Sequence, residues 1–151
     1  MPWKTTLKRA KKDKEEGKAP TAQAGEFVHE EMEHIRRGKH GARNTKQAIA
    51  IGLSKARRAG VKLAPPKPGT ASARTRKQAK RDLATAAHGP GKTSHKRSVT
   101  RERALKREPH FAASHTALSK QARSAAAQRS RSSRSAAAKK AASTRQHRRA
   151  A

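Results

Sequence analysis

Cysteine is absent, and aromatic residues nearly so: Trp3, Phe27 and Phe111 are the only three, with no tyrosine. Without a thiol there is no disulfide scaffold, no thiolate zinc site and no cysteine nucleophile, which fits a reducing compartment. Without large rings the apolar share rests mainly on alanine, which buries little area per residue, so a core running through the whole chain is out of reach. Long apolar runs are missing too. AIAIGL, residues 48–53, is the longest, far below the roughly 20 residues that a membrane-spanning helix needs. The N-terminal MPWKTTLKRAKKDKEEGK has no apolar stretch behind its charges and does not read as a secretory signal, and Asp13, Glu15 and Glu16 are foreign to a mitochondrial presequence.

Acids are the third scarcity. The 151 residues carry 39 Lys and Arg against 10 Asp and Glu, a formal charge of +29. Residues 1–33 hold 7 basic and 7 acidic residues and are neutral, so the whole excess lies in residues 34–151, where 32 basic residues face only Asp82, Glu102 and Glu108. Self-repulsion of that size opposes a compact state unless a counter-charge is present, and a nucleic acid supplies one. A neutral head carrying a long cationic arm is the pattern of a polyanion-binding protein.

Two stretches have helical periodicity. In GEFVHEEMEHIRRG, residues 25–38, Val28, Met32 and Ile35 share a face with Phe27 beside them, acids gather in the first half, Arg36 and Arg37 fall in the last turn, and Gly38 ends the helix. In NTKQAIAIGLSKARRAG, residues 44–60, Asn44 or Thr45 is the N-cap and Ile49, Leu53 and Ala56 form the face, flanked by Ala48, Ile51 and Gly52. Gly60 is the stop, after which Val61 can fold back on Ala56. The short link GKHGAR lets the two faces close as a helical hairpin. A core this thin is marginal alone, so the hairpin dimerises, packs on a partner, or is folded only part of the time.

The expected class is therefore mostly α: a flexible N-terminal segment over 1–24, the hairpin over 25–63, a Pro/Gly linker over 64–73 with Pro65, Pro66, Pro68 and Gly69, and a basic low-complexity tail over 74–151. RKQAKRDLATAAH, TRERALKRE and SHTALSKQARSAAAQ have helix propensity, with Leu83, Leu105 and Leu118 as lone anchors, but none can bury a face by itself. The tail is thus expected to be disordered when free and to gain helix on neutralisation.

Two motif fragments point to chemistry and fall short of it. HEEMEH places His29 and His34 five apart, about 140° around a helix, whereas a zinc-protease helix needs them four apart on one face. The plain reading is an acidic solvated face with Glu30 near His34. HGPGKTS, residues 88–94, ends like a phosphate-binding loop, but Ala86 stands where its first glycine belongs, and no buried strand precedes it. With no rigid scaffold around the remaining acids, no catalytic constellation is expected. No cofactor and no metal are expected either.

The segment EFVHEEMEHIRRGKHGARNTKQAIAIGLSKARRAG resembles a small bacterial family of unknown function, common in proteobacteria, whose members are short and basic and carry a KQAIAIGLS-ARRAG helix after a K-x-G turn. The likeness covers residues 25–63 and rests chiefly on Lys46 to Leu53, Ser54, Ala56 and Arg57. Proteins of that kind are often labelled plasmid-stabilisation or DNA-binding proteins, and the resemblance brings no catalytic residue. The tail separately resembles linker-histone tails in composition.

These observations lead to the expectation of a non-enzymatic, largely sequence-independent DNA-binding protein of the bacterial cytoplasm, at the nucleoid or on a plasmid, that coats or compacts DNA. RNA or the ribosome is the alternative partner, a protein-recruiting head tethered to nucleic acid the third reading, and a membrane is not a partner. The residues expected to meet phosphates are Lys46, Lys55, Arg57 and Arg58 of the second helix, then Arg74, Arg76, Lys77, Lys80, Arg81, Lys96, Arg97, Arg101, Arg103, Lys106, Arg107, Arg129, Arg131, Arg134, Lys139, Lys140, Arg145, Arg148 and Arg149.

Overall fold

Proline at a first helical turn has no N–H to waste and a φ already set for the helix, and Pro20 opens α2, Pro20–Arg36, five residues earlier than apolar periodicity suggests. Gly38, at φ +69°, lets the chain reverse so that Lys39 N donates to His34 O at 3.0 Å. The computed structural model describes residues 2–88 and 94–150, with side chains as far as His147. Before α2 stands α1, Lys4–Glu15, within the segment expected to be flexible. After it come α3, Thr45–Arg58, α4, Ala73–His88, α5, His95–Lys106, a 3-10 turn at Phe111–Ala113, α6, His115–Ala127, and α7, Arg131–Ala150. Among the described residues there is no strand, and no helix is long and apolar enough to cross a membrane.

The α2–α3 pair is present, but its seam is not the expected one. Thr45, Ala48, Gly52 and Ala56 are the buried stripe of α3, while Ile49 and Leu53 are only half-buried at its sides. Small residues win the seam because they let two helices come close. A Cβ on Gly52 would lie 2.7 Å from Val28 Cα, so the backbones meet there with no room for even a methyl group. Asn44 Oδ1 accepts from Gln47 N at 2.9 Å and caps α3, which ends before Gly60 with Val61 N donating to Ala56 O at 3.1 Å. Ala10 of α1 joins Ala24, Phe27, Ala56 and Val61 in one apolar cluster, with Leu53 and Leu63 against it.

The hairpin therefore does not stand alone. α1 lies on α2, with Trp3 N donating to Glu30 Oε2 at 3.1 Å. α4 lies on α3 through Ala79 and the buried Asp82, whose carboxylate accepts from Ser54 Oγ at 2.5 Å and Gln78 Nε2 at 3.1 Å. Residues 105–113 close over the turn between α2 and α3. Gly41 N donates to Leu105 O at 2.9 Å and Ala42 N to Pro109 O at 3.0 Å, while Thr45 Oγ1 and Arg36 Nε reach the carbonyls of Ala112 and Ala113 at 2.8 and 3.0 Å. A Cβ on Gly41 would fall 1.7 Å from Glu108 O.

The largest correction concerns residues 74–151. The sequence reading expects a disordered tail there; the structure holds α4, α5, α6 and α7. Alanine, arginine, lysine and glutamine are the best helix formers after glycine and proline are excluded, and capping supplies the starts. Ser72 Oγ accepts from Thr75 N at 3.1 Å ahead of α4, and Ser130 Oγ accepts from Ser133 N at 3.2 Å ahead of α7. Two parts of this region also bury surface that periodicity does not reveal, because alanines and backbone carbonyls, not large apolar side chains, make the contact. Met1–Ser114 form one unit and His115–Ala151 a second, consisting of α6 and α7.

Candidate nucleic-acid interface

Charge in this protein is sorted by place. The three acids beyond residue 34 all have cationic partners in the chain: Asp82 as above, with Arg58 Nε at 3.7 Å, Glu108 with Arg43 Nη2 at 3.7 Å, and Glu102, exposed on α5, with Lys106 Nζ at 2.8 Å. The Lys106 ammonium holds the Glu102 carboxyl below its ordinary range. Among the described residues of α4 to α7, Lys106 alone of the Lys and Arg has a carboxylate partner.

The candidates from α3 separate sharply. Lys46 is exposed and uncommitted. Arg57 is buried, 7% exposed, and its guanidinium donates to Leu63 O at 3.1 Å and Ala64 O at 3.3 Å; burial lowers its pKa, offset in part by Asp82. It staples the chain after α3 to the helix and cannot reach a phosphate. Lys55 donates to Glu31 Oε2 at 2.5 Å, and Arg58 lies along Ser54 O and Asp82. Spacing could not reveal this, since Lys46 and Arg57 look alike until the Leu63 and Ala64 carbonyls and Asp82 are placed.

In α4, Arg74, Lys77, Lys80 and Arg81 are exposed, and Arg76 is half-buried with its Nε unpartnered. In α5 and just after it, Lys96, Arg97, Arg101, Arg103, Lys106 and Arg107 are all exposed. In the second unit Arg129, Arg131, Arg134, Lys139, Lys140 and Arg145 are exposed, whereas the side chains of Arg148 and Arg149 lie outside the described residues. At 100° per residue, Arg131, Arg134 and Arg145 share one face of α7, with Ala138 between them. The HGPGKTS fragment also falls largely outside the described residues, which omit 89–93.

Arg97 and Arg101 turn toward a cleft of about 580 Å³ whose other walls are His34, Lys39, His40 and Lys55, with Ser94 and Ser98 at its rim. Lys39, Arg97 and Arg101 bring three cations to the opening and Ser94 and Ser98 two hydroxyls, while Lys55 is already held by Glu31 and Glu102 adds an acid to the lining. Behind the cleft Glu30 and Glu31 are 1% and 0% exposed, and His34 is 7%. The Trp3 ring stands edge-on to His34 at 4.7 Å, with Arg37 and Lys39 over its face at 5.2 and 4.9 Å. Burial lowers the His34 pKa, with Lys55 acting the same way against the opposing Glu30. The acidic face expected to be solvated is thus enclosed. His29, which spacing sets aside as a partner of His34, is exposed, and the histidine that approaches His34 is His40, ring centroids 6.0 Å apart, brought back by the Gly38 reversal.

A family of unknown function, DUF6496, matches residues 20–68, which begin at the first residue of α2 and end in the proline segment after α3. The resemblance drawn on residues 25–63 lies inside that match, and the match carries no activity, so the plasmid-stabilisation and DNA-binding labels gain nothing from it. No curated protein and no solved structure matches the chain.

Proposed function

We propose that the protein is a non-enzymatic, largely sequence-independent DNA-binding protein that neutralises duplex phosphates with preformed basic helices. The observation that carries this reading is the fate of the acids: all three beyond residue 34 are paired within the chain, and the described cations of α4 to α7, the half-buried Arg76 apart, are exposed with Lys106 alone paired to a carboxylate. A surface built for solubility alone has no reason to remove one sign of charge so completely, because mixed charge serves solubility as well. Near absence of aromatic side chains on these helices disfavours stacking on single strands and favours a partner offering phosphates in rows. Base reading would need a rigid helix set in a groove, and α3, the helix first suspected, has Arg57 buried and Lys55 and Arg58 engaged by Glu31 and Asp82.

Titration of the whole chain against random-sequence duplex DNA at two salt concentrations tests it. Neutralising about ten phosphates gives a slope of log affinity against log salt near −9, so doubling the salt weakens binding roughly 500-fold, whatever the sequence. A consensus site preferred at least about a thousandfold over random duplex would overturn sequence independence. A marked preference for duplex RNA would move the reading to an RNA-bound protein.

A further inference from the structure

Three buried polar atoms meet behind the cleft with no hydrogen-bond partner: Glu30 Oε1, Glu31 Oε1 and His34 Nε2. Their side chains are at most 9% exposed, so water does not satisfy them freely, and an unmatched buried carboxylate oxygen is among the costliest groups a fold can hold. His40 completes the group. Its Nε2 is 3.2 Å from Glu31 Oε1, and its other nitrogen, Nδ1, lies 3.1 Å from Gly41 O. If Nδ1 donates to that carbonyl, the neutral ring presents the Nε2 lone pair to Glu31, two acceptors aimed at one point.

We propose that Glu31, His34 and His40 form a site for a first-row divalent metal ion of the zinc class. Their ligand atoms lie within 4.8 Å of one another. Two ligands on a tetrahedral zinc are separated by about 3.3 Å, and Glu31 Oε1 and His40 Nε2 are already at 3.2 Å. His34 has only to close in by roughly 1–1.5 Å. Two of the ligands have the outer partner that such sites use to fix tautomer and orientation. His40 Nδ1 faces Gly41 O, and the second oxygen of Glu31 accepts from Lys55; His34 Nδ1 turns toward Glu31, while its Nε2 stands 3.6 Å from Glu30 Oε1, outside hydrogen-bond reach until the ring closes in. Two imidazoles and one carboxylate suit zinc, cobalt or nickel and not magnesium or calcium, which take oxygen ligands. Since His34 and His40 also line the cleft, water from it completes the coordination. The ion clips the end of α2 to the turn that follows and cancels the excess negative charge buried there. The spacing argument from His29 and His34 concerns only that pair; the second histidine of this group comes from beyond the helix.

Co²⁺ added to the whole chain, freed of metal by chelation, is the direct probe. One equivalent should bind with the intense visible absorption of tetrahedral cobalt, be displaced by Zn²⁺, and raise the thermal midpoint by about 5 °C at hundredfold excess over Kd. His40→Ala, at a half-buried position in the turn after α2, should weaken binding at least about a hundredfold with circular dichroism unchanged, and exposed His29→Ala should leave binding intact. The absence of saturable binding, or a weakly absorbing octahedral spectrum in the unmutated chain, would overturn the site. Equal binding by the unmutated chain and His40→Ala would do the same, assigning the ion to surface histidines.

Discussion

Around α2 and α3 the protein buries ionisable groups, Glu30, Glu31, His34, Arg57 and Asp82, and meets them one against another or against backbone carbonyls. From residue 115 onward it carries ten Lys and Arg, no acid and not one described buried residue. The same residue types do opposite things in the two regions. In the first a cation is part of the architecture, and its loss leaves a partner uncompensated. In the second it is a free charge whose loss the fold does not feel. What separates them is the supply of partners: carboxylates and open carbonyls exist where α1, α4 and residues 105–113 converge on the α2–α3 pair.

Removing residues 115–151 is the strongest way to test that division. With several phosphate contacts gone, affinity for duplex DNA should fall roughly a thousandfold, about 4 kcal/mol, and the salt slope should flatten, while the thermal midpoint of the remainder stays put. An unchanged slope in a binding titration would show that the cations of the first unit suffice. Next in size, Glu31→Ala should destabilise the fold by about 3 kcal/mol in urea, because the Lys55 ammonium loses the carboxylate that holds it. A cost below about 0.5 kcal/mol would show that the enclosed group is not structural.

The comparison is sharpest for two arginines. Arg57→Met should cost about 1–2 kcal/mol of stability, because Leu63 O and Ala64 O lose their donors, and leave the salt slope untouched. Arg145→Met should change stability by less than about 0.5 kcal/mol yet reduce the slope by about 0.9 if it meets one phosphate. Denaturation and titration of both variants decide it, and a reversed pattern would refute the division. The smallest effect concerns pH. Burial, aided by Lys55 and Lys39 and opposed by Glu30 and Glu31, lowers the His34 pKa in the folded state. The unfolded chain therefore binds the proton first, and the stabilisation is whole above about pH 6.5 and lost as pH falls from there toward the folded value. Melting in chelator from pH 7.5 to 5 should show a steeper decline for the unmutated chain than for His34→Gln.

Sequence reading located α3, its cap to within Asn44 or Thr45, the stop at Gly60 and the return of Val61, because these depend on neighbours within four or five residues. It missed α1 and the docking of α4, whose contacts run through Ala10, Ala79 and Asp82, residues with no apolar bulk to form a recognisable period. It also counted helical segments without a large apolar face as disordered, underrating alanine-rich propensity and the serine caps. The cluster behind the cleft was half legible. Glu30, Glu31 and His34 are adjacent in the chain, but His40 reaches them only through a reversal at Gly38 whose direction no periodicity encodes.

The seal over the α2–α3 turn has a consequence for how the chain reaches this state. Arg36 and Ala113 are 77 positions apart, and Thr45 and Ala112 are 67, so these bonds close the longest loops in the first unit. On a ribosome α2 and α3 emerge long before the segment that completes them. Their turn must wait with the amide groups of Gly41 and Ala42 in water until residues 105 and 109 are made. Closing so long a loop costs entropy before its contacts repay it, which makes this step the natural bottleneck of folding. The nascent chain meanwhile carries its first cations exposed and its head unfinished.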